Sequence, residues 1–209
     1  VWGEDVGYGK LNHPECCYYG DNSWHTSDLR QWLNGEGADW WKKQTRYGIK
    51  PNVANSLQGF LTGLDKSVKD VLKCVKVTTI GNNVKYNGQQ FVTYDRIFLH
   101  SNNQSNITTD FNGQYDNEGE RWEYYKQLAQ GVSNLTTSGM FKIWNTYPIL
   151  IRYAINYPTS AQYVFARSAN FGYACNMCRV NPSGHCGGNS NAYALFKALP
   201  ACAIMGLSL

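Results

Sequence analysis

The residues best suited to metal chemistry lie near the carboxyl end, where Cys175 and Cys178 precede a His185-Cys186 pair. Thiolates and an imidazole are the ligands that zinc binds in tetrahedral geometry. Only six residues separate Cys178 from His185, whereas about 12 separate the two ligand pairs of a zinc finger. We therefore expect no metal at this cluster, and we expect no other cofactor.

Nucleophilic catalysis is equally poorly supported. It needs a thiol or hydroxyl beside a base that a third group orients, and the only local pairing is His13 with Cys16 or Cys17. The chain has 7 cysteines, so at least one stays unpaired if the others bridge. We expect most of them to be reduced, His25 and His100 to be capping or surface residues, and the protein not to be an enzyme.

Charge is distributed very unevenly along the chain. All 15 acidic residues lie in 1–123, and residues 124–209 carry none. This excludes a carboxylate-pair hydrolase or a calcium site in the last 86 residues. The six cations of that segment are scattered, so the segment lacks the basic stripe that nucleic acid requires.

Length and composition indicate one globular domain. The chain has 209 residues, of which 14% are aromatic and 16% charged, so it can bury a core and is not disordered. No apolar run reaches the roughly 18 residues of a membrane span. Because the sequence begins at Val1 without Met, we expect it to be the C-terminal part of a longer protein.

Short helices and strands are predicted in alternation, which favours an α+β fold. Ser27 is the expected N-cap of a helix over 27–34, in which Leu29, Trp32 and Leu33 share one apolar stripe. Leu29 and Trp32 should be buried against the C-terminal sheet. Asp28 and Arg30 are close enough to pair locally, but we prefer a buried role for them in orienting the helix. Further helices are predicted at 38–43, 65–72, 118–130 and 147–157. Strands are predicted at 75–80, 84–86, 91–94, 96–99, 163–166, 177–180 and 198–204.

The motifs of the chain, taken in order, resemble those of a family of bacterial and phage domains. The run WHTSDLRQWLN at 24–34 is similar to the opening helix of that family. It is followed by YDRIFL at 94–99, EGERWEYYK at 118–126, Arg152-Tyr153-Ala154, the Arg167-Ser168 pair, NPSG at 181–184 and PACAI at 200–204. The resemblance extends over residues 24–204.

This family comprises proteins of the C-type lectin fold, many of them variable proteins of diversity-generating retroelements. The resemblance implies one C-type lectin-like domain over 1–209, with short helices packed on small antiparallel sheets and long irregular loops. It also implies a variable segment at about 166–198. In such systems, adenine-directed mutagenesis rewrites chosen codons while the fold stays constant.

The side chains of the variable segment are those of a binding surface. Large aromatic and cationic residues stand among Gly, Ala and Ser, as in antibody paratopes, where rigid aromatics supply contact area at low entropic cost. The residues that we expect to contact the ligand are Asn170, Phe171, Tyr173, Cys175, Met177, Arg179, His185, Asn189, Tyr193, Leu195 and Phe196.

The resemblance implies a non-enzymatic domain on a virion or bacterial cell surface. Its partner would be a protein or glycan receptor on a bacterial cell, with no nucleic acid and no membrane insertion. The protein would act as a homo-oligomer or as part of a virion assembly. Two alternatives stay open: an enzyme of the formylglycine-generating type, which shares the lectin-like fold, and a purely structural virion protein.

Overall fold

The structure, a computed structural model, describes residues 23–44, 50, 52–81, 86–101, 103–104, 117–120, 164–169, 176–180, 189–191, 197–198 and 200–205. Within them the chain forms short 3₁₀ turns at Trp24–Thr26, Asn52–Asn55 and Phe60–Gly63. The helices are α1 (Asp28–Asn34) and α2 (Lys66–Val71). The strands are β1 (Leu72–Lys73), β2 (Val75–Ile80), β3 (Gln90–Asp95), β4 (Ile97–Leu99), β5 (Val164–Ala169), β6 (Asn176–Val180), β7 (Asn189–Asn191), β8 (Lys197–Ala198) and β9 (Pro200–Ile204).

The described strands form three small sheets. The first has the order β1-β9-β4, the second is the β2-β3 pair, and the third has the order β7-β6-β5-β8. All pairings are antiparallel except that of β5 with β8. The α+β class is therefore confirmed, with one parallel pair among the antiparallel ones. Because β9 lies between β1 and β4, the end of the chain is built into the first half of the molecule.

Helix α1 begins where the sequence predicts, because Ser27 caps it. The Ser27 Oγ accepts a hydrogen bond from the Arg30 backbone N–H at 3.1 Å, which satisfies an amide of the first turn. Leu29 and Leu33 are buried, as their spacing predicts. A helix this short is not stable alone, so its packing against β4 and the Phe60–Gly63 turn must supply the stability.

The expected burial of Trp32 against the C-terminal sheet is wrong. Trp32 is only partly buried, and its ring meets Phe60 edge to face at 5.4 Å between centroids. Its Nε1 donates to the Gln58 carbonyl at 2.9 Å. An indole with a polar N–H is suited to such a rim position, where one edge of the ring is apolar and the other can reach a backbone acceptor.

Residues 38–43 do not form the predicted helix. The segment is irregular, and Trp40 is buried with its Nε1 donating to the Leu57 carbonyl at 2.7 Å. The backbones cross closely here, since a Cβ on Gly59 would lie 2.3 Å from the carbonyl carbon of Gly35. Tertiary contacts between two distant segments, rather than helical periodicity, therefore decide this conformation.

Most predicted strands are present in the described residues, with small shifts at their ends. The predicted 84–86 strand is wrong at Tyr86, which has helical backbone and precedes a turn. In that turn Asn87 and Gly88 have φ of 50° and 68°, the paired left-handed conformations that Asn-Gly adopts readily.

Two other predicted helices fall largely outside the described residues. Residues 121–130 and 147–157 lie there. At 118–119 the chain bends instead of starting a helix, and Gly119 has a φ of 93° that other residues rarely adopt. Helix α2 is formed as predicted, but Val68 and Val71 are 43% and 39% exposed, so the helix contributes no buried residue to the core.

Among the described residues, an apolar core joins the first half of the chain to strand β9. Leu29 and Leu33 of α1 pack there with Trp24, Leu61, Leu72, Val77, Ile97, Phe98 and Leu99. Ala201 of β9 packs against this cluster from the edge. The core therefore holds the strand that directly follows the predicted variable segment.

Candidate functional site

The predicted binding segment forms the four-stranded sheet. Of the eleven residues expected to contact a ligand, Met177 and Arg179 lie on β6 and Asn189 lies on β7. The others lie outside the described residues: Asn170, Phe171, Tyr173, Cys175, His185, Tyr193, Leu195 and Phe196. The convergence of the whole set on one surface therefore stays a prediction.

Backbone register brings two of these residues to one face of the sheet. Met177 and Arg179 are two residues apart on β6, so the two-residue period of a strand places them on the same face. Asn189 is paired with Cys178, which belongs to the other face. The structure therefore groups Met177 with Arg179 and separates Asn189 from them.

A buried serine lies next to the residue of β5 that is paired with Met177. Met177 is paired with Ala169, and the neighbouring Ser168 is fully buried. The regular alternation of strand faces does not apply to Ser168, because this residue lies inside a register shift of β5.

The register of β5 shifts between Phe165 and Ala169. Phe165 is paired with Arg179 and Ala169 with Met177, so an advance of four residues along β5 matches an advance of only two residues along β6. Extra residues of this kind bend a strand and redirect its side chains. The irregularity lies beside Ser168 and marks the point where the sheet is fastened to the rest of the molecule.

The fastening group is Glu118, which is fully buried. Its Oε2 accepts a hydrogen bond from the Ser168 hydroxyl, and its Oε1 accepts one from the Ile80 backbone N–H at 2.8 Å. Its backbone carbonyl accepts a further bond from the Ser101 hydroxyl at 2.8 Å. One side chain therefore joins the last residue of β2 to β5 of the variable segment.

A second buried carboxylate, Asp95, fixes the opening helix. Asp95 Oδ1 accepts a hydrogen bond from Arg30 Nε at 2.7 Å, and Oδ2 accepts bonds from Trp24 Nε1 at 2.9 Å and Thr93 Oγ1 at 2.6 Å. Arg30 thus helps to orient the helix, as expected, and does so through Asp95 rather than through the local alternative, a pair with Asp28. The partner is 65 residues away in the sequence, so local spacing could not reveal it.

Asn34, at the end of α1, is bound to the backbone of the β4 region. Its Oδ1 accepts hydrogen bonds from the Arg96 and Ile97 amides at 2.7 and 3.1 Å. Its Nδ2 donates to the Ile97 carbonyl at 2.7 Å. These bonds use most of the capacity of the amide side chain. Arg30 and Asn34 of the opening motif thus hold α1 to β3 and to the β4 region.

Asp28 is buried but has no cationic partner among the described residues. Its Oδ1 accepts hydrogen bonds from Trp41 Nε1 at 2.8 Å and from Gln31 Nε2 at 3.4 Å. Its Oδ2 is buried and, in the described part of the chain, accepts none. Burial raises the pKa of Asp28 from 3.8 to about 7, although the Trp41 bond favours the charged form.

This raised pKa predicts that stability falls as the pH rises. Folded Asp28 keeps its proton up to about pH 7, whereas the unfolded chain releases it near pH 3.8. The folded state therefore binds more protons in this window, and the free energy of unfolding falls across it. Replacing Asp28 with Asn should remove this fall and leave D28N, relative to wild type, more stable at pH 8 by on the order of a few kcal/mol.

Urea unfolding of both proteins at intervals from pH 4 to pH 8 measures the effect. The gap between them should close toward pH 4, where Asp28 is neutral in the folded protein. Parallel stability profiles across the whole range would contradict the assignment to Asp28.

The two described histidines are not free surface residues. His25 is partly buried, and its ring stacks on Phe91 at 3.6 Å and meets Tyr86 edge to face at 5.0 Å. His100 is buried, so the expectation of a surface position is wrong for it, while the alternative of a capping role stays a prediction. Both histidines lie within the packed scaffold.

No metal cluster is found where side chains can be described. Among those residues, no group of three or more His, Cys, Asp or Glu is placed to hold a metal ion. Of the Cys175–Cys186 cluster, only Cys178 lies within the described ranges, on β6. The absence of a metal at the whole cluster therefore stays a prediction.

Together these features define an α+β domain in which buried polar anchors hold an acid-free C-terminal sheet. The chain belongs to the DUF6273 family, a domain of unknown function, whose pattern matches residues 12–206. No curated protein and no solved structure matches the chain. In the described part of the chain, no helix has the length and apolarity needed to cross a membrane.

Proposed function

We propose that the protein is a C-type lectin-like binding domain, a variable protein of a diversity-generating retroelement. It acts without catalysis and attaches a phage particle or a bacterial cell to a protein or glycan receptor on a bacterial surface. The resemblance of the ordered motifs at 24–204 supports this proposal, and so does the paratope-like composition of 166–198.

One observation carries the proposal furthest: the sheet of the variable segment is anchored through a residue other than the predicted binding residues. Ser168 anchors the sheet through buried Glu118, whereas Met177 and Arg179 share one face of the neighbouring strand β6. A diversified surface needs this division, because changes at the binding positions must leave the fold intact. The polar residues of the opening motif are engaged by the scaffold, which leaves recognition to the C-terminal segment.

Attachment of the whole particle or cell tests the proposal. Replacing both Met177 and Arg179 with serine should reduce attachment to the host bacterium by about tenfold or more, because a few large side chains dominate most interfaces. The free energy of unfolding should change by less than about 0.5 kcal/mol, as for other solvent-facing substitutions.

Tyr94→Ala is the matched control. Tyr94 is 66% exposed on β3, so the substitution removes an exposed aromatic ring outside the variable segment. It should leave attachment unchanged. Equal loss of attachment in both variants would place the binding surface elsewhere, and unfolding of the double variant would show that Met177 and Arg179 belong to the core.

The gene provides an independent test of diversification. We expect a reverse transcriptase gene nearby and a near-copy of the 3′ end of this gene that differs at template adenines. An identical 166–198 segment in many isolates would contradict diversification, while receptor binding could still be measured with the variants above.

A further inference from the structure

Two exposed thiols lie close to the junction of β1 with β9, the central strand of the first sheet. Cys74 is the single residue between β1 and β2, at the point where the chain passes from one sheet to the next. Cys202 lies in the middle of β9. Both are exposed and both are free thiols.

The pairing of β1 with β9 ends one residue short of these two cysteines. Leu72 is paired with Ile204 and Lys73 with Ala203 at the end of β1. Extending this register by one residue would set Cys74 opposite Cys202. The two strands run antiparallel, so the cysteines approach each other from neighbouring strands. Their separation along the chain does not matter for this contact.

The type of register position also suits a cross-strand bond. The Met205 amide donates to the Val71 carbonyl at 2.9 Å, which makes this pair a hydrogen-bonded one. Hydrogen-bonded and non-hydrogen-bonded pairs alternate along an antiparallel ladder, so Cys74 and Cys202 fall at a non-hydrogen-bonded position. Cα atoms at such positions are about 4.5 Å apart, within the range that a disulfide spans.

We propose that Cys74 and Cys202 are a redox modification site that closes reversibly into a disulfide by exchange with a low-molecular-weight disulfide such as oxidised glutathione. One protein thiolate attacks the glutathione disulfide, breaking its S–S bond and releasing one glutathione thiol. The second protein thiolate then attacks the mixed disulfide, forms the Cys74–Cys202 bond and releases the second glutathione. The two cysteines are oxidised by two electrons, glutathione disulfide is reduced by two, and the two protein protons leave with the glutathione thiols.

The bond would fasten the junction between β1 and β2 to β9. Cys202 is already paired with Ile97 of β4 on its other side, so the bond would tie β9 to the scaffold on both edges. It would also close a loop of more than a hundred residues, which restricts the unfolded chain strongly. Strand β9 directly follows the segment 166–198, so the bond would secure the end of that segment under oxidising conditions.

The test treats the folded wild-type chain with oxidised glutathione, alkylates the remaining thiols and maps the peptides by mass spectrometry. The expected product is a Cys74–Cys202 linked peptide with neither cysteine glutathionylated. The oxidised protein should unfold at a Tm roughly 5–15 °C above that of the reduced protein.

C74S and C202S are the controls, because each removes one of the two thiols that form the proposed disulfide. Each single variant should stop at a mixed disulfide with glutathione on the remaining cysteine, and its Tm should not rise. Wild-type molecules that carry glutathione on both Cys74 and Cys202 would overturn the proposal, as would linkage of either residue to a different cysteine. A linked protein with a Tm no higher than that of the reduced form would also overturn it.

Discussion

Replacing Asp95 with alanine is expected to lower the free energy of unfolding by about 3–5 kcal/mol, the usual cost of breaking a buried ion pair. The Asp95 side chain has no solvent exposure, and the Arg30 side chain that it pairs with is 23% exposed. The substitution also deprives the fully buried Trp24 of its Nε1 acceptor. A buried donor left without a partner keeps its desolvation cost, which adds to the loss.

Asp70→Ala is the control for this substitution. Asp70 forms a 2.6 Å ion pair with Lys66 on the surface of α2, and both side chains are largely exposed. Exposed pairs at this helical spacing contribute about 0.3–0.5 kcal/mol. The same chemical change should therefore cost several times less at position 70 than at position 95.

Denaturant unfolding of Asp95→Ala, Asp70→Ala and Asp95→Asn measures these differences in the free energy of unfolding. The Asn variant keeps the shape of the side chain but replaces one acceptor oxygen with a donor, so its loss should lie between those of the other two. A cost at Asp95 as small as that at Asp70 would mean that solvent or another group replaces the carboxylate, and that α1 is not held by this network.

Helix α1 and its contact with Asp95 show which features the sequence predicts and which it does not. The Ser27 cap and the Leu29–Leu33 stripe depend on residues a few positions apart, so local patterns revealed them. The partner of Arg30 depends on how α1 lies against the β3 strand, whereas local spacing offered only the neighbouring Asp28. A usable signal existed in β3, where Thr93 and Asp95 share the inward face.

The tryptophans illustrate a second limit. Trp32 and Trp40 were both assigned to helices, one of them correctly, but their burial was not predictable from hydrophobicity. Trp32 remains partly exposed and bonds to Gln58, whereas Trp40 is buried and bonds to Leu57. The position of each ring depends on a backbone acceptor supplied by the distant 57–58 segment. Such an acceptor leaves no trace in the hydrophobic pattern.

The candidate site also has features that the sequence predicted and features that it did not. The family resemblance implied the variable segment 166–198, and the register of β6 then placed Met177 with Arg179 and Asn189 on the other face. That separation could not be foreseen, because it depends on which residue of β7 opposes Cys178. The anchor at Glu118 was also missed, since the sequence assigned this residue to the start of a helix. The one available hint was Gly119, which breaks a helix and here has a φ of 93°.

We expect the loss of this anchor to be as damaging as the loss of Asp95. Glu118→Ala leaves the Ile80 amide and the buried Ser168 hydroxyl without the acceptors that they now bond. The loss of these two buried hydrogen bonds and the cavity left by the side chain should together cost about 3–5 kcal/mol. The loss of stability should also be local, because Glu118 joins β2 to β5. Amide hydrogen exchange should therefore increase more in β5 and β6 than in α1.

A double-mutant cycle with Ser168→Ala isolates the contact. If the two side chains stabilise the sheet through their mutual hydrogen bond, the double variant should lose less free energy of unfolding than the two single variants lose in sum. The difference should be about 0.5–3 kcal/mol. Glu36→Ala, at an exposed glutamate paired with Lys69, should leave both the unfolding midpoint and the exchange rates of the sheet unchanged. Additive costs at Glu118 and Ser168, or exchange that quickens uniformly through the protein, would show that Glu118 supports the general core and does not specifically anchor the variable sheet.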